Sequence, residues 1–151
     1  MSDLGDLYQE VILDHNRNPR HFGELGGYER LAHGHNPLCG DSLVVYLKLD
    51  GQTISGISFK GDGCAISKAS ASLMTEYVLG KDLATVEKAY GAFHDLVTGK
   101  TDEAAASGVP FGKLAALGGV AEYPVRVKCA TLPWHTLAAA LKQTSEPVTT
   151  E

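Results

Sequence analysis

Three cysteines and one neighbouring carboxylate are the residues on which chemistry would rest: Cys39 and Asp41, two positions apart, then Cys64 and Cys129. An odd number of thiols does not suit a disulfide framework, so metal or thiol chemistry is the better expectation. Three thiolates and a carboxylate would complete a tetrahedral Zn²⁺ shell. No CxxC pair is present to assign a metal from spacing, and small buried apolar residues are the alternative reading of the cysteines. Gly40 separates Cys39 from Asp41 and lets the backbone bend so that both side chains can address one ion.

These residues need elements to hold them. Leu4, Leu7, Tyr8, Val11 and Ile12 recur at helical spacing, and the stripe stops at Asn16-Arg17-Asn18-Pro19, where proline disfavours helix in the residue before it. Gly23 to Asn36 has weak periodicity and reads as mostly irregular, with room for a short strand. From Leu43 the alternation Val45, Leu47, Leu49 predicts a strand, Asp50-Gly51 a turn, and Ile57 and Phe59 the return strand of a hairpin. Ile66, Ala69, Leu73 and Tyr77 trace a helix that ends at Gly80, and Cys64 therefore falls just ahead of it.

Leu83, Val86, Tyr90, Phe93 and Val97 predict another helix, closed by Gly99, followed by a small, polar linker from Thr101 to Gly108. A short helical piece is expected around Phe111 to Leu117. The last helix begins after Pro124 and runs through Leu132, Leu137 and Leu141. Pro133 is tolerable near a first turn, which would set the helix start close to Cys129. Two of the three cysteines then stand at helix starts, where free N–H groups and a partial positive charge favour a thiolate.

His15, His21, His33, His35, His94 and His135 are metal ligands by type, but none pairs with another at ligand spacing on a predicted helix. They read as surface or core residues, with a structural hydrogen bond expected for His135. Ser67, Ser70 and Ser72 read as small residues that allow close packing, with no acid–base partner spaced to activate a nucleophile.

The chain has 151 residues, 44% of them hydrophobic, which is enough for one domain. Residues 1–142 are expected to form it, and the polar segment 143–151, which contains Pro147, to be a flexible tail. A formal charge of −5 argues against a phosphate-tracking nucleic-acid binder. The opening Met1-Ser2-Asp3-Leu4-Gly5-Asp6 does not read as a signal peptide, and no apolar run is long enough to span a bilayer, so a cytoplasmic protein without a membrane partner is expected.

Along nearly its whole length the sequence resembles the IscU and SufU proteins of iron–sulfur cluster assembly. The resemblance is carried by Leu7-Tyr8 through Val11-Ile12-Leu13-Asp14-His15 and Pro19-Arg20, by Asn36-Pro37-Leu38-Cys39-Gly40-Asp41, and by Gly61 to Ser72. It continues in Pro124-Val125-Arg126-Val127-Lys128-Cys129-Ala130 and Trp134-His135-Thr136-Leu137. IscU proteins carry a histidine immediately before the last cysteine, whereas this chain has Lys128, so the SufU branch is the nearer likeness. The helix from Leu83 to Val97 with its linker resembles an insertion of that branch, and Tyr123-Pro124-Val125-Arg126 stands where IscU proteins have the paired prolines read by an Hsp70.

The resemblance implies an α+β fold, a small antiparallel sheet of about three strands packed against several helices. It implies a zinc ion held by Cys39, Asp41, Cys64 and Cys129, with Cys39 as the acceptor of persulfide sulfur from a SufS-type cysteine desulfurase. A ligand donated by that partner, a histidine in the family, would release Cys39, and Arg126 matches a position implicated in opening the site. Sulfur would then pass to the downstream iron–sulfur assembly machinery. The same three thiolates leave open an IscU-like scaffold for a [2Fe–2S] cluster, and a passive structural zinc module is a third possibility.

Overall fold

Strand β2 (Asp41–Asp50) and strand β3 (Thr53–Asp62) form the predicted hairpin, with Val45 opposite Phe59 and Leu47 opposite Ile57. In this computed structural model, which describes residues 3–37, 40–100, 112–142 and 148–149, the hairpin is the middle of the sheet. Leu43, Val45 and Leu47 point into the core with Ile57 and Phe59, as period-two side chains on one face must. Gly51 makes the turn at φ 62°, a conformation costly for any residue with a Cβ.

Strand β1 (Arg30–Asn36) pairs antiparallel with β2, from Arg30 opposite Leu47 to Asn36 opposite Asp41. The strand lies inside the stretch read as mostly irregular, because its inward positions are Ala32, Gly34 and Asn36 and give no apolar alternation. They are small for a reason visible at Gly34, where an added Cβ would lie 2.0 Å from Thr136 Oγ1 on the helix packed against the strand. Of the tail, Val148–Thr149 are described and form β4, parallel to β1, which gives the order β3-β2-β1-β4. The three long strands are the antiparallel sheet implied by the family likeness.

Helix α1 (Asp3–Arg17) ends at the predicted stop and packs along α2 (Ala65–Val78). The small residues of α2, Ala69, Ser70, Ala71 and Ser72, are all buried and let neighbouring helices approach. Their hydroxyls have partners: Ser72 Oγ accepts from the Arg20 amide at 2.8 Å and lies 2.7 Å from His15 Nδ1, and Ser70 donates to the Ala130 carbonyl at 2.6 Å. Helix α3 (Leu83–Val97) has the predicted bounds, with Asp82 as its N-cap accepting from the Thr85 amide. Phe93 of α3 stacks on Trp134, whose side chain is fully buried.

The predicted helical piece near Phe111 is a 3₁₀ helix over Gly112–Glu122; Phe111 itself and the linker from Thr101 to Gly108 lie outside the described residues. The last helix, α4 (Pro124–Lys142), corrects the expected helix start. Pro124 occupies its first position, where the missing N–H costs nothing. Cys129 is therefore in the second turn and Pro133 in the helix interior. Pro133 supplies no N–H for the Cys129 carbonyl four residues back, and the buried hydroxyl of Ser70 bonds the adjacent Ala130 carbonyl. Among the described residues, no helix is long and apolar enough to cross a membrane.

Candidate metal centre

Three elements meet at one end of the sheet. Asp41 opens β2, Cys64 caps the helix that follows β3, and Cys129 points from the second turn of α4. One carboxylate oxygen and the two sulfurs all lie within 4.8 Å of one another, the only grouping of three or more such ligands among the described residues. Asp41 and Cys129 are fully buried and Cys64 is half-buried, so the cluster is reachable from one side.

Each ligand is held by an N–H donor. Asp41 Oδ1 accepts from the Cys64 amide at 2.8 Å, which leaves Oδ2 facing Cys64 Sγ at 4.0 Å. Cys64 has the extended backbone of an N-cap, and its sulfur accepts from the Ser67 amide at 3.4 Å. The expected helix-start environment thus holds for Cys64 and not for Cys129. Cys129 Sγ accepts from Asn36 Nδ2 at 3.8 Å and donates to the Val125 carbonyl at 3.7 Å. Gly63 is needed where it stands, since a Cβ there would come within 2.8 Å of Asp41 Oδ1.

Arg126 is exposed on the first turn of α4, with its guanidinium beside the thiols. The charge of Cys64 raises its pKa most, burial opposes this, and the charge of Cys129 and hydrogen bonds to both sulfurs add smaller raising effects. Arg126 faces the two sulfurs here, whereas its expected role came from the family likeness alone.

Cys39 lies outside the described residues. The residues around it meet at the sheet end, where Asn36 pairs with Asp41, and Gly40 takes φ 72° just before the strand. His35, exposed on the outer face of β1, donates from Nδ1 to the Asp41 carbonyl at 3.2 Å. His21 bonds Thr75 at 3.0 Å and His135 bonds the Tyr90 hydroxyl. No histidine joins the ligand grouping among the described residues. Asn36 was visible only as part of a motif, and its contact with Cys129, 93 positions away, leaves no signal in sequence spacing.

The donor set fits zinc. Bond lengths of about 2.0–2.3 Å to oxygen and sulfur require ligand atoms roughly 3.5–3.8 Å apart, a small contraction from the separations seen here. Two thiols and a carboxylate suit that ion, and the described residues supply three of the four ligands of a tetrahedral shell.

Residues 7–146 match the family model described as NifU-like N-terminal domain. The chain belongs to this family. It is 40% identical over 136 residues to the zinc-dependent sulfurtransferase SufU of Bacillus subtilis (strain 168), covering 90% of each chain. It is 38% identical over 145 residues to the iron–sulfur cluster assembly scaffold protein IscU of Streptococcus pyogenes serotype M1, covering 96% of this chain and 89% of that one. Among solved structures, a putative iron–sulfur cluster assembly scaffold protein for the SUF system from Fervidobacterium islandicum AW-1 superposes with a TM-score of 0.80 at 33% identity, covering 87% of this chain and 94% of that one. Proteins of both the SufU and the IscU name are thus near relatives.

Proposed function

We propose that this protein is a SufU-type component of iron–sulfur cluster assembly, a zinc-dependent sulfurtransferase that takes persulfide sulfur from a SufS-type cysteine desulfurase onto Cys39. The observation that carries the reading is the largely buried grouping of Asp41, Cys64 and Cys129 with Arg126 at its exposed edge. Likeness to the Bacillus sulfurtransferase supports it. Asp41, Cys64 and Cys129 would hold zinc with Cys39 as the fourth ligand, and the bound ion would keep the thiols deprotonated at neutral pH.

The chain's own residues then do the rest. The Cys39 thiolate attacks the terminal sulfur of the desulfurase persulfide. A new S–S bond forms on Cys39, the donor S–S bond breaks, and the donor cysteine leaves as a thiolate. No external oxidant or reductant is needed. Arg126 keeps positive charge at the edge of the thiol cluster. The sulfur passes on to the downstream assembly machinery in the reducing cytoplasm, where free thiols persist.

A second reading, a scaffold for a [2Fe–2S] cluster, draws on the likeness to the Streptococcus protein and on the ability of the same thiolates to ligate iron. Lys128, beside Cys129 where IscU proteins have a histidine, weighs against it. Elemental analysis of protein purified without oxygen separates the two. About one zinc per chain and no cluster absorbance supports the sulfurtransferase. Stoichiometric iron with cluster absorbance and little zinc supports the scaffold.

A further inference from the structure

Two of the three clustered ligands take their hydrogen bonds from backbone amides, Cys64 N–H to Asp41 and Ser67 N–H to Cys64. The third, Cys129, makes contacts of different kinds besides its interaction with Arg126. It donates its own S–H to the Val125 carbonyl, and it accepts an N–H from the side chain of Asn36. A metal-bound sulfur has lost its proton and can only accept. The bond to Val125 therefore cannot persist in the loaded site, and the bond from Asn36 can. Asn36 is fully buried, ends β1 and pairs across the sheet with Asp41, so one residue is fixed against two ligand-bearing elements, β2 and α4.

We propose that Asn36 is a positioning residue of the metal centre, whose side-chain amide donates to Cys129 Sγ and directs that sulfur at the ion. The proposal rests on the reading that Asp41, Cys64 and Cys129 hold zinc. Partners of this kind orient a ligand and tune the metal, and their loss typically lowers affinity by about 10- to 100-fold. Asn36→Asp is the informative variant, because it keeps the shape, removes the donor and sets a carboxylate against the thiolate. Asn36→Ala removes the group altogether.

The test measures zinc affinity by competition with a chromogenic chelator, together with the absorption spectrum of the cobalt-substituted protein. Both variants should bind zinc about 10- to 100-fold more weakly than wild type. The sulfur-to-cobalt charge-transfer band should shift, which a role confined to fold stability would not produce in a variant whose metal-free form melts like wild type. Zinc affinity within about twofold of wild type with an unchanged cobalt spectrum overturns the proposal. If the variants do not fold, the wild-type protein still decides. Nuclear magnetic resonance of its Asn36 side-chain amide should show one proton moving downfield and exchanging more slowly when zinc is added, and an amide indifferent to zinc overturns the proposal. Failure of the wild-type protein to bind zinc or cobalt at all would instead remove the metal-centre reading beneath it.

Discussion

The backbone amide of Cys64 donates to one carboxylate oxygen of Asp41 at 2.8 Å, while the sulfur of the same cysteine stands 4.0 Å from the other oxygen. One residue thus anchors the carboxylate and shares the candidate ion with it. Asp41→Asn keeps an acceptor for the Cys64 amide and loses the charge, whereas Asp41→Ala loses both. Zinc should raise the melting temperature less in either variant than in wild type. The alanine variant should be the less stable of the two by about 1–2 kcal/mol, because it leaves a buried donor unpaired. Thermal melting with and without zinc checks both, and equal zinc stabilisation in all three proteins would remove Asp41 from the ligand set.

Gly34→Ala should damage the centre from a distance. Its Cβ would meet Thr136 Oγ1, which is buried and donates to the Leu132 carbonyl at 2.7 Å, so α4 must move away from β1. Overpacking of this kind costs about 1–3 kcal/mol. Because α4 carries Cys129, zinc affinity should fall as well. Adding Thr136→Ala should recover part of both losses, as two residues in contact are not additive. Denaturant melts and chelator competition on the single and double variants measure this, and a double variant no better than Gly34→Ala would contradict it.

Acid should weaken the fold through His15. Burial lowers its pKa from the ordinary 6.5, with the Arg20 charge adding to the effect and Glu76 opposing it. Protonation is then easier in the unfolded chain than in the folded one. The metal-free protein should lose stability as pH drops below about 6.5 and level off once the folded form also protonates. His135, lowered by burial and by His94, adds a loss of the same sign. His15→Gln should flatten part of this slope in urea melts at pH 7.5 to 5. A variant with the wild-type slope would show that His15 is not its source.

The parts legible in the sequence are those where burial imposes a period. The alternation from Leu43 to Phe59 and the stripe from Leu83 to Val97 gave a hairpin and a helix that the structure reproduces. β1 was harder because the backbone of Gly34 lies against α4, and that contact forbids the large apolar residues that announce a strand. The start of α4 was displaced because Pro133 was read as a marker of a first turn, when Pro124 already fills that role and Ser70 supports the carbonyl beside the break. In the site, the ligand types and the helix cap at Cys64 were open to reading from residues alone. The convergence of β2, α2 and α4, and the reach of Asn36 across to Cys129, depend on tertiary packing.

The central claim is that Cys39 accepts the sulfur, and mass spectrometry of the protein after incubation with a cysteine desulfurase and cysteine tests it most directly. The persulfide should be found on the peptide containing Cys39, as the mass of one added sulfur atom, and Cys39→Ala should neither acquire it nor stimulate the desulfurase. Cys64 and Cys129 are held by N–H donors within a largely buried cluster, and they should remain unmodified. A persulfide found reproducibly on Cys64 or Cys129 alone, with the Cys39→Ala protein still active, would contradict the account.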